Sequence, residues 1–223
     1  MVKRNKDLND VSDNVIVWRY MSLDKFQYLI NEKKLYFCRA DLFEDKHEAT
    51  LSMIDKEFFR YSEENKKYWE DERKRHFVNC WIESPHELSL MWTAYAKNGV
   101  AIKSTVGNLK NSLINSPEDI YLSRVRYIDY DRDSSQDAYT PLNILKLLFV
   151  KRSLFNQENE IRLLHSDYEN KDGHIKSKSI KVDINVLIDE IVISPNTDDN
   201  FLDMIETWLQ SKGIEKCVIK SVL

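Results

Sequence analysis

Four seven-residue runs, VIVWRYM (15–21), KLYFCRA (34–40), HFVNCWI (76–82) and GVAIKST (99–105), are so dense in β-branched and aromatic side chains that they commit the chain to a sheet. YLSRVRYIDYD, NEIRLLH, SIKVDI, LIDEIVIS and the closing KCVIKSVL read the same way. Helical patterns fall between some of these runs but not all. Ser22 precedes Asp24 and then Phe26, Leu29 and Ile30, which predicts a serine-capped amphipathic helix. LSLMWTAYA predicts a short helix, and Pro141 is placed to open a long apolar one through PLNILKLLFVKRSLF. DDNFLDMIETWLQSKG predicts a helix with acids at its start and Gly213 at its end. Strands that cluster without strict helix alternation predict an α+β fold: one domain over 1–223, with mixed, mostly antiparallel sheets, flanking helices and a helical insertion over about 43–76.

Composition removes several classes of function. Net charge is -4, which gives no bulk footprint for nucleic acid or an anionic membrane. No run of about 18 apolar residues is present and MVKRNKDLNDVSDN lacks a signal-type apolar core, so a cytoplasmic protein with no membrane partner is expected. Cys38, Cys80 and Cys217 are odd in number and sit in strand-like runs, which predicts buried reduced thiols. The five histidines are scattered and no CxxC occurs, so no metal site is expected. GxGxxG and GxxxxGK[ST] are absent, which excludes the common dinucleotide and phosphate loops.

Three stretches carry chemistry. In QENEIRLL, Glu158, Glu160 and Arg162 recur with period two, so an extended segment presents all three on one face. They read either as a charge ladder on a sheet edge or as a carboxylate pair that orients a ligand hydroxyl, tuned by the guanidinium. In WRYMS, Arg19 lies just before the helix that Ser22 opens, a seat for a phosphate or an arginine snorkelling from an edge. In LFEDKHEA, Glu44, Asp45, His47 and Glu48 read as a carboxylate cluster or as an acid-rich helix start. Trp81, Trp92 and Tyr95 read as pocket walls for a flat ligand or, for Trp92 at helical spacing from Leu88 and Tyr95, as core.

Taken in order, WRYMSLDKFQYLINEKKLYF, LFEDKHEA, FVNCWIES…LSLMWTAYAKNGVAI, VRYIDY and KRSLFNQENEIRLL resemble the bacterial family known as domain of unknown function 2971, over about Val17 to Leu164. Two positions depart from that pattern: Phe155 stands where tryptophan is expected, and Glu44–His47 where an Asn-Asp-Pro type of turn is expected. More distantly, the aromatic-flanked arginine, the serine-capped helix, the KLYF strand and the late ExE are similar to the ADP-ribosyltransferase fold and its DNA-modifying toxin branch. That resemblance implies a transferase or NAD glycohydrolase that consumes NAD as substrate, acting as a toxin or antiviral defence effector. The acceptor would be a protein, DNA or RNA, and an antitoxin or defence-system partner is implied. Glu160 would stabilise the reacting ribose and Glu158 would orient or deprotonate the acceptor. Arg19, Tyr20, Ser22, Tyr36, Trp81, Trp92 and Arg162 would line the NAD site, and no metal would be needed. Two other readings stay open. One is a non-catalytic nucleotide- or partner-binding module. The other is a metal-dependent nuclease built on Asp45, Glu48 and Glu160.

Overall fold

The computed structural model describes residues 1–59, 62–136 and 143–223. Its strands are β1 (Val2–Lys3), β2 (Ile16–Met21), β3 (Lys34–Arg39), β4 (His76–Glu83), β5 (Val100–Thr105), β6 (Ile120–Arg124), β7 (Arg126–Ile128), β8 (Val150–Arg152), β9 (Glu160–Ser166), β10 (Ser177–Lys181), β11 (Glu190–Ile193) and β12 (Cys217–Lys220). The helices are α1 (Leu23–Glu32), α2 (Met53–Phe58), α3 (Glu63–Arg73), α4 (Ser89–Tyr95), α5 (Val106–Ser112), α6 (Ile144–Leu147), α7 (Ile184–Leu187) and α8 (Asp199–Ser211). The chain is an α+β domain. Ten strands form one sheet in the order β1-β6-β9-β4-β2-β5-β11-β12, with β3 and β10 branching from β4, and β7 and β8 pair separately. Among the described residues, no helix is long and apolar enough to cross a membrane.

The branch at β4 decides where the molecule opens. β9 covers one edge of β4 along nearly its whole length, from His76 opposite Ser166 to Ile82 opposite Glu160. The other edge is shared. β3 pairs with Val78 and Phe77, β2 pairs with Glu83 and Ile82, and between them the strands diverge. Asn79, Cys80 and Trp81 therefore face a fork with no strand partner on that side, and side chains take up some of the backbone groups left there. Asn79 Nδ2 donates to the Tyr36 carbonyl at 2.8 Å, and Arg19 Nη1 donates to the Cys80 carbonyl at 3.3 Å. α1 joins the two prongs, its buried face made by Phe26, Leu29 and Ile30 as the sequence spacing predicts.

One face of the sheet carries the main core: α1, α5, α7 and α8 pack Phe26, Leu109, Leu187 and Leu209 against Val17, Trp81, Ile102 and Ile191. The opposite face is covered in two separate patches. α4 lays Met91 and Trp92 on Trp18, Tyr20 and Ile82, while Ala40, Ala49, Leu148 and Phe149 cover Val78 and Leu164. The strip of sheet between those patches is the floor of a cleft.

Several expectations are corrected. The long apolar helix is a single turn, α6, followed by β8 and a 3₁₀ turn at Ser153–Glu158; Val150 and the aromatic Phe149 favour extended backbone, and Lys151 is drawn to carboxylates. Its expected opening at Pro141 lies outside the described residues. Within 43–76 the helices α2 and α3 follow a turn-rich stretch. YLSRVRYIDYD breaks at Val125, whose amide bonds Glu160 while that of Arg126 bonds Phe149, so the strand leaves β9 for β8. The thiols are free, but Cys80 and Cys217 are exposed and Cys38 half-buried. Strand alternation turns the first two away from the core.

Candidate functional site

The cleft encloses about 920 Å³ at the fork. One prong contributes Arg19 and Tyr20, the other Leu35 and Tyr36, and β4 supplies Cys80, Trp81 and Ile82. Phe43, Glu44, Asp45 and Glu48 form one wall, Tyr95 stands at the end of α4, and Lys151, Phe155, Glu158, Glu160 and Arg162 close the bottom.

Strand parity separates two groups of these residues. Trp18 lies opposite Ile82 and Ile82 opposite Glu160, which places Tyr20, Cys80, Glu160 and Arg162 on one face of the sheet. Arg19 and Trp81 belong to the other face, where Arg19 lies opposite Ile102. In an unbroken sheet they could not share a pocket. The fork removes that barrier, and both groups line the same cleft.

At the bottom, five charged groups interlock. Arg162 is fully buried and gives Nε to Glu160 Oε1 at 2.7 Å, Nη2 to Glu160 Oε2 at 3.0 Å and to Glu48, and Nη1 to the Leu148 carbonyl at 2.7 Å. Lys151 Nζ reaches Glu158 at 2.5 Å and Glu48 and Glu160 at 3.4 Å each. Burial drives the Glu160 carboxyl upward, but the charge and hydrogen bonds of Arg162, joined by Lys151, overcome it and hold the pKa at about 2. Glu160 is thus an ionised carboxylate in a dry place. Lys151 is raised by the same acids against its own burial. Glu158 is moved the other way: burial raises it above the ordinary glutamate value, and Lys151 only partly offsets that. The Tyr95 hydroxyl donates to Glu158 at 3.5 Å and is itself pushed to about 12 by burial and Glu158.

Arg19 is the contrasting cation. It is half-buried, sits 5.9 Å from the centroid of the Trp81 ring, and among the described residues has no carboxylate within ion-pair distance. Burial lowers its guanidinium to about 10. A desolvated guanidinium with unused donors, open to a cleft, favours an anionic ligand.

Of the residues expected to bind or act on NAD, Arg19, Tyr20, Tyr36, Trp81, Glu158, Glu160 and Arg162 line this one cleft. Two do not. Trp92 is 2% exposed, meets Tyr20 edge-on at 5.0 Å and donates Nε1 to Glu87 at 3.0 Å, so it supports the wall from behind. Ser22 occupies the N-cap of α1 but makes no side-chain cap bond, and it does not line the cleft. Arg162 has every nitrogen engaged inside the protein, which makes it the holder of Glu160 and Glu48 rather than a ligand contact. Glu158 is not on the strand with Glu160: it ends the 3₁₀ turn, and Asn159, in the left-handed region at φ 41°, turns the chain into β9. The period-two reading was right for Glu160 and Arg162 and wrong for Glu158. Lys151 was missed, because it lies in what reads as a helix, and Glu48 is read from sequence as part of an acidic run or as a nuclease's metal ligand, not as a partner of Arg162 and Lys151.

Asp45 is held by Arg152 at 2.9 Å, and Glu48 and Glu160 are held by Arg162 and Lys151. The acids a nuclease would need for a divalent ion are therefore committed to cations. Among the described residues, no group of three His, Cys, Asp or Glu side chains is arranged to hold a metal ion.

No protein-family model matches the chain, and no curated protein matches it significantly. Its likeness to domain of unknown function 2971 accordingly rests on the quoted motifs alone. Among solved structures, DarT from Thermus sp. 2.9, in complex with NAD+, overlays with a TM-score of 0.43 at 8% identity, covering 95% of this chain and 98% of that one. At that score and identity the overlay decides neither fold family nor chemistry.

Proposed function

We propose that this chain is an NAD-consuming ADP-ribosyltransferase or NAD glycohydrolase, with its substrate in the fork cleft. The observation that carries the proposal is the pairing, in one cleft, of a half-buried Arg19 that has no carboxylate partner among the described residues with a buried Glu160 held ionised by two cations. An anionic pyrophosphate suits the first, and positive charge growing on a ribose as a C–N glycosidic bond breaks suits the second. Tyr36, 47% exposed on the cleft wall, offers a flat surface for a nicotinamide ring. In this reading Glu160 also accepts from a ribose hydroxyl, and Glu158, raised toward neutrality beside Tyr95, orients or deprotonates the acceptor. Nicotinamide departs with the bonding electrons, and the acceptor, water or a macromolecule, supplies the new bond to the ribose. The resemblances set out from sequence extend this to a cytoplasmic toxin or anti-phage effector.

A second reading has its own support. Both oxygens of Glu160 are already bonded within the protein, which leaves little capacity for a substrate hydroxyl and favours a module that binds a nucleotide without cleaving it.

Free nicotinamide released from NAD, followed with and without chelator, separates the readings. The transferase reading expects release that chelator leaves unchanged and that Glu160→Gln lowers by about 100-fold or more. Binding of NAD without release, in folded wild-type protein, would establish the module instead.

A further inference from the structure

Glu158 reaches the bottom of the cleft from a 3₁₀ turn rather than from the sheet, so something other than strand pairing must hold it there. Three carboxylates converge on one ammonium: Glu48 from the turn after β3, Glu158 from the 3₁₀ turn and Glu160 from β9, at 3.4, 2.5 and 3.4 Å from Lys151 Nζ. The same ammonium lies 4.9 Å from the centroid of the Phe155 ring, which belongs to the turn that carries Glu158. Lys151 is 7% exposed and sits on β8, two residues before that turn begins. The other cation, Arg162, bonds Glu160 and Glu48 but not Glu158.

We infer that Lys151 is the positioning residue of this site: its ammonium clamps the 3₁₀ turn, through Phe155 and Glu158, onto the sheet so that Glu158 and Glu160 stand side by side on the cleft floor. Without that charge, three carboxylates share only Arg162, and the one that Arg162 does not touch is released. Glu158 then faces Tyr95 from α4, Tyr127 from β7, and Glu48 and Glu160, none of which supplies a positive charge. The consequence for chemistry rests on the transferase reading, because misplacing one of two acting carboxylates lowers turnover more than binding.

The test has one arm that does not need turnover. The titration of the Glu158 side-chain carboxyl, followed by carbon NMR and assigned by its loss in Glu158→Gln, moves to higher pH in Lys151→Met and returns toward wild type in Lys151→Arg. An unchanged titration in folded Lys151→Met overturns the clamp. If Lys151→Met does not fold, Phe155→Leu, which removes only the ring beneath the ammonium, is expected to move the same titration in the same direction by less, and no movement there also overturns it. The second arm is turnover of NAD. Lys151→Met is expected to lower kcat at least about tenfold with KM little changed, shift the acid limb of the pH profile upward, and be rescued by Lys151→Arg. A loss confined to KM overturns the positioning role. Wild-type protein that releases no nicotinamide sinks the transferase reading while the titration arm still decides the clamp.

Discussion

His76 and Glu160 are buried groups whose titration sets how the protein meets acid. His76 has no exposed surface, its Nδ1 pairs with Ser166 at 2.9 Å and its Nε2 has no partner among the described residues. Burial lowers it from 6.5 to about 4, so the neutral ring is the folded form. Its stabilising contribution is complete above the unfolded value of 6.5 and is lost as pH falls through about 4. Glu160, depressed from 4.5 to about 2, contributes fully above 4.5 and loses that contribution as pH falls through about 2. Each separation amounts to about 3 kcal/mol. Glu158, raised by burial, works against both, but it cancels when wild type is compared with a variant at His76. Urea midpoints of wild type are expected to fall relative to those of His76→Gln between pH 6.5 and 4, with the difference between the two proteins constant outside that window. Parallel curves for the two proteins would remove His76 from the account.

At the scale of elements, the prong formed by β2 and α1 is held from below by the start of β5. Gly99 immediately precedes that strand, and a Cβ there would lie 2.2 Å from the Met21 carbonyl oxygen and 3.1 Å from Ser22 Cα, both backbone atoms that cannot turn aside. Gly99→Ala must push the end of β2, and with it the Arg19 side of the cleft, away from β5. A loss of about 1–3 kcal/mol in urea denaturation is expected, together with weaker ligand binding. Full retention of both would mean that β5 and β2 slide freely. This contact also marks the limit of what was legible beforehand. β2, β3, β4, β5, β9 and α8 were readable because each carries its own signal, whether a β-branched run, an alternation or a cap such as Asp198, which accepts from the Phe201 amide. β8 was not, because VKR is three residues whose conformation is set by what Lys151 and Arg152 meet across the fold. The fork was not legible for the same reason: nothing local to β4 says that two strands share one edge. Arg19 is conspicuous as a charge within an apolar run, and Glu160 and Arg162 by their period-two spacing, whereas Lys151 is hidden in a run that suits a helix equally well.

Over the described residues of the whole molecule, the main core packs on one face of the sheet and two separate patches cover the other, and the cleft between those patches holds four buried charged side chains, Glu48, Lys151, Glu160 and Arg162. A ligand bridging the fork would touch β2, β3 and β4 together, elements that the fork otherwise leaves joined mainly through α1 and the ends of β4. Binding should therefore register as global stabilisation. NAD present at about a hundred times its dissociation constant stabilises by about 2.7 kcal/mol, which for a chain of this size raises the melting temperature by about 5–10 °C. Arg19→Ala, which removes one bond to a carbonyl at 3.3 Å and the contact with the Trp81 ring but no ion pair among the described residues, should lower the unliganded melting temperature by only a few degrees. The same variant should lose most of the NAD-induced rise, since a phosphate then meets a half-buried cleft wall without a charge to pair with. Ionic strength supplies a further discriminator. A half-buried guanidinium is screened less than an exposed lysine, so the rise in wild type should persist at about 0.5 M salt if Arg19 carries it and fade if the exposed Lys25, which also lines the cleft, does. An NAD-induced shift of equal size in wild type and Arg19→Ala would show that the ligand is held elsewhere, and the fork would then have to be read as an architectural gap rather than a binding site.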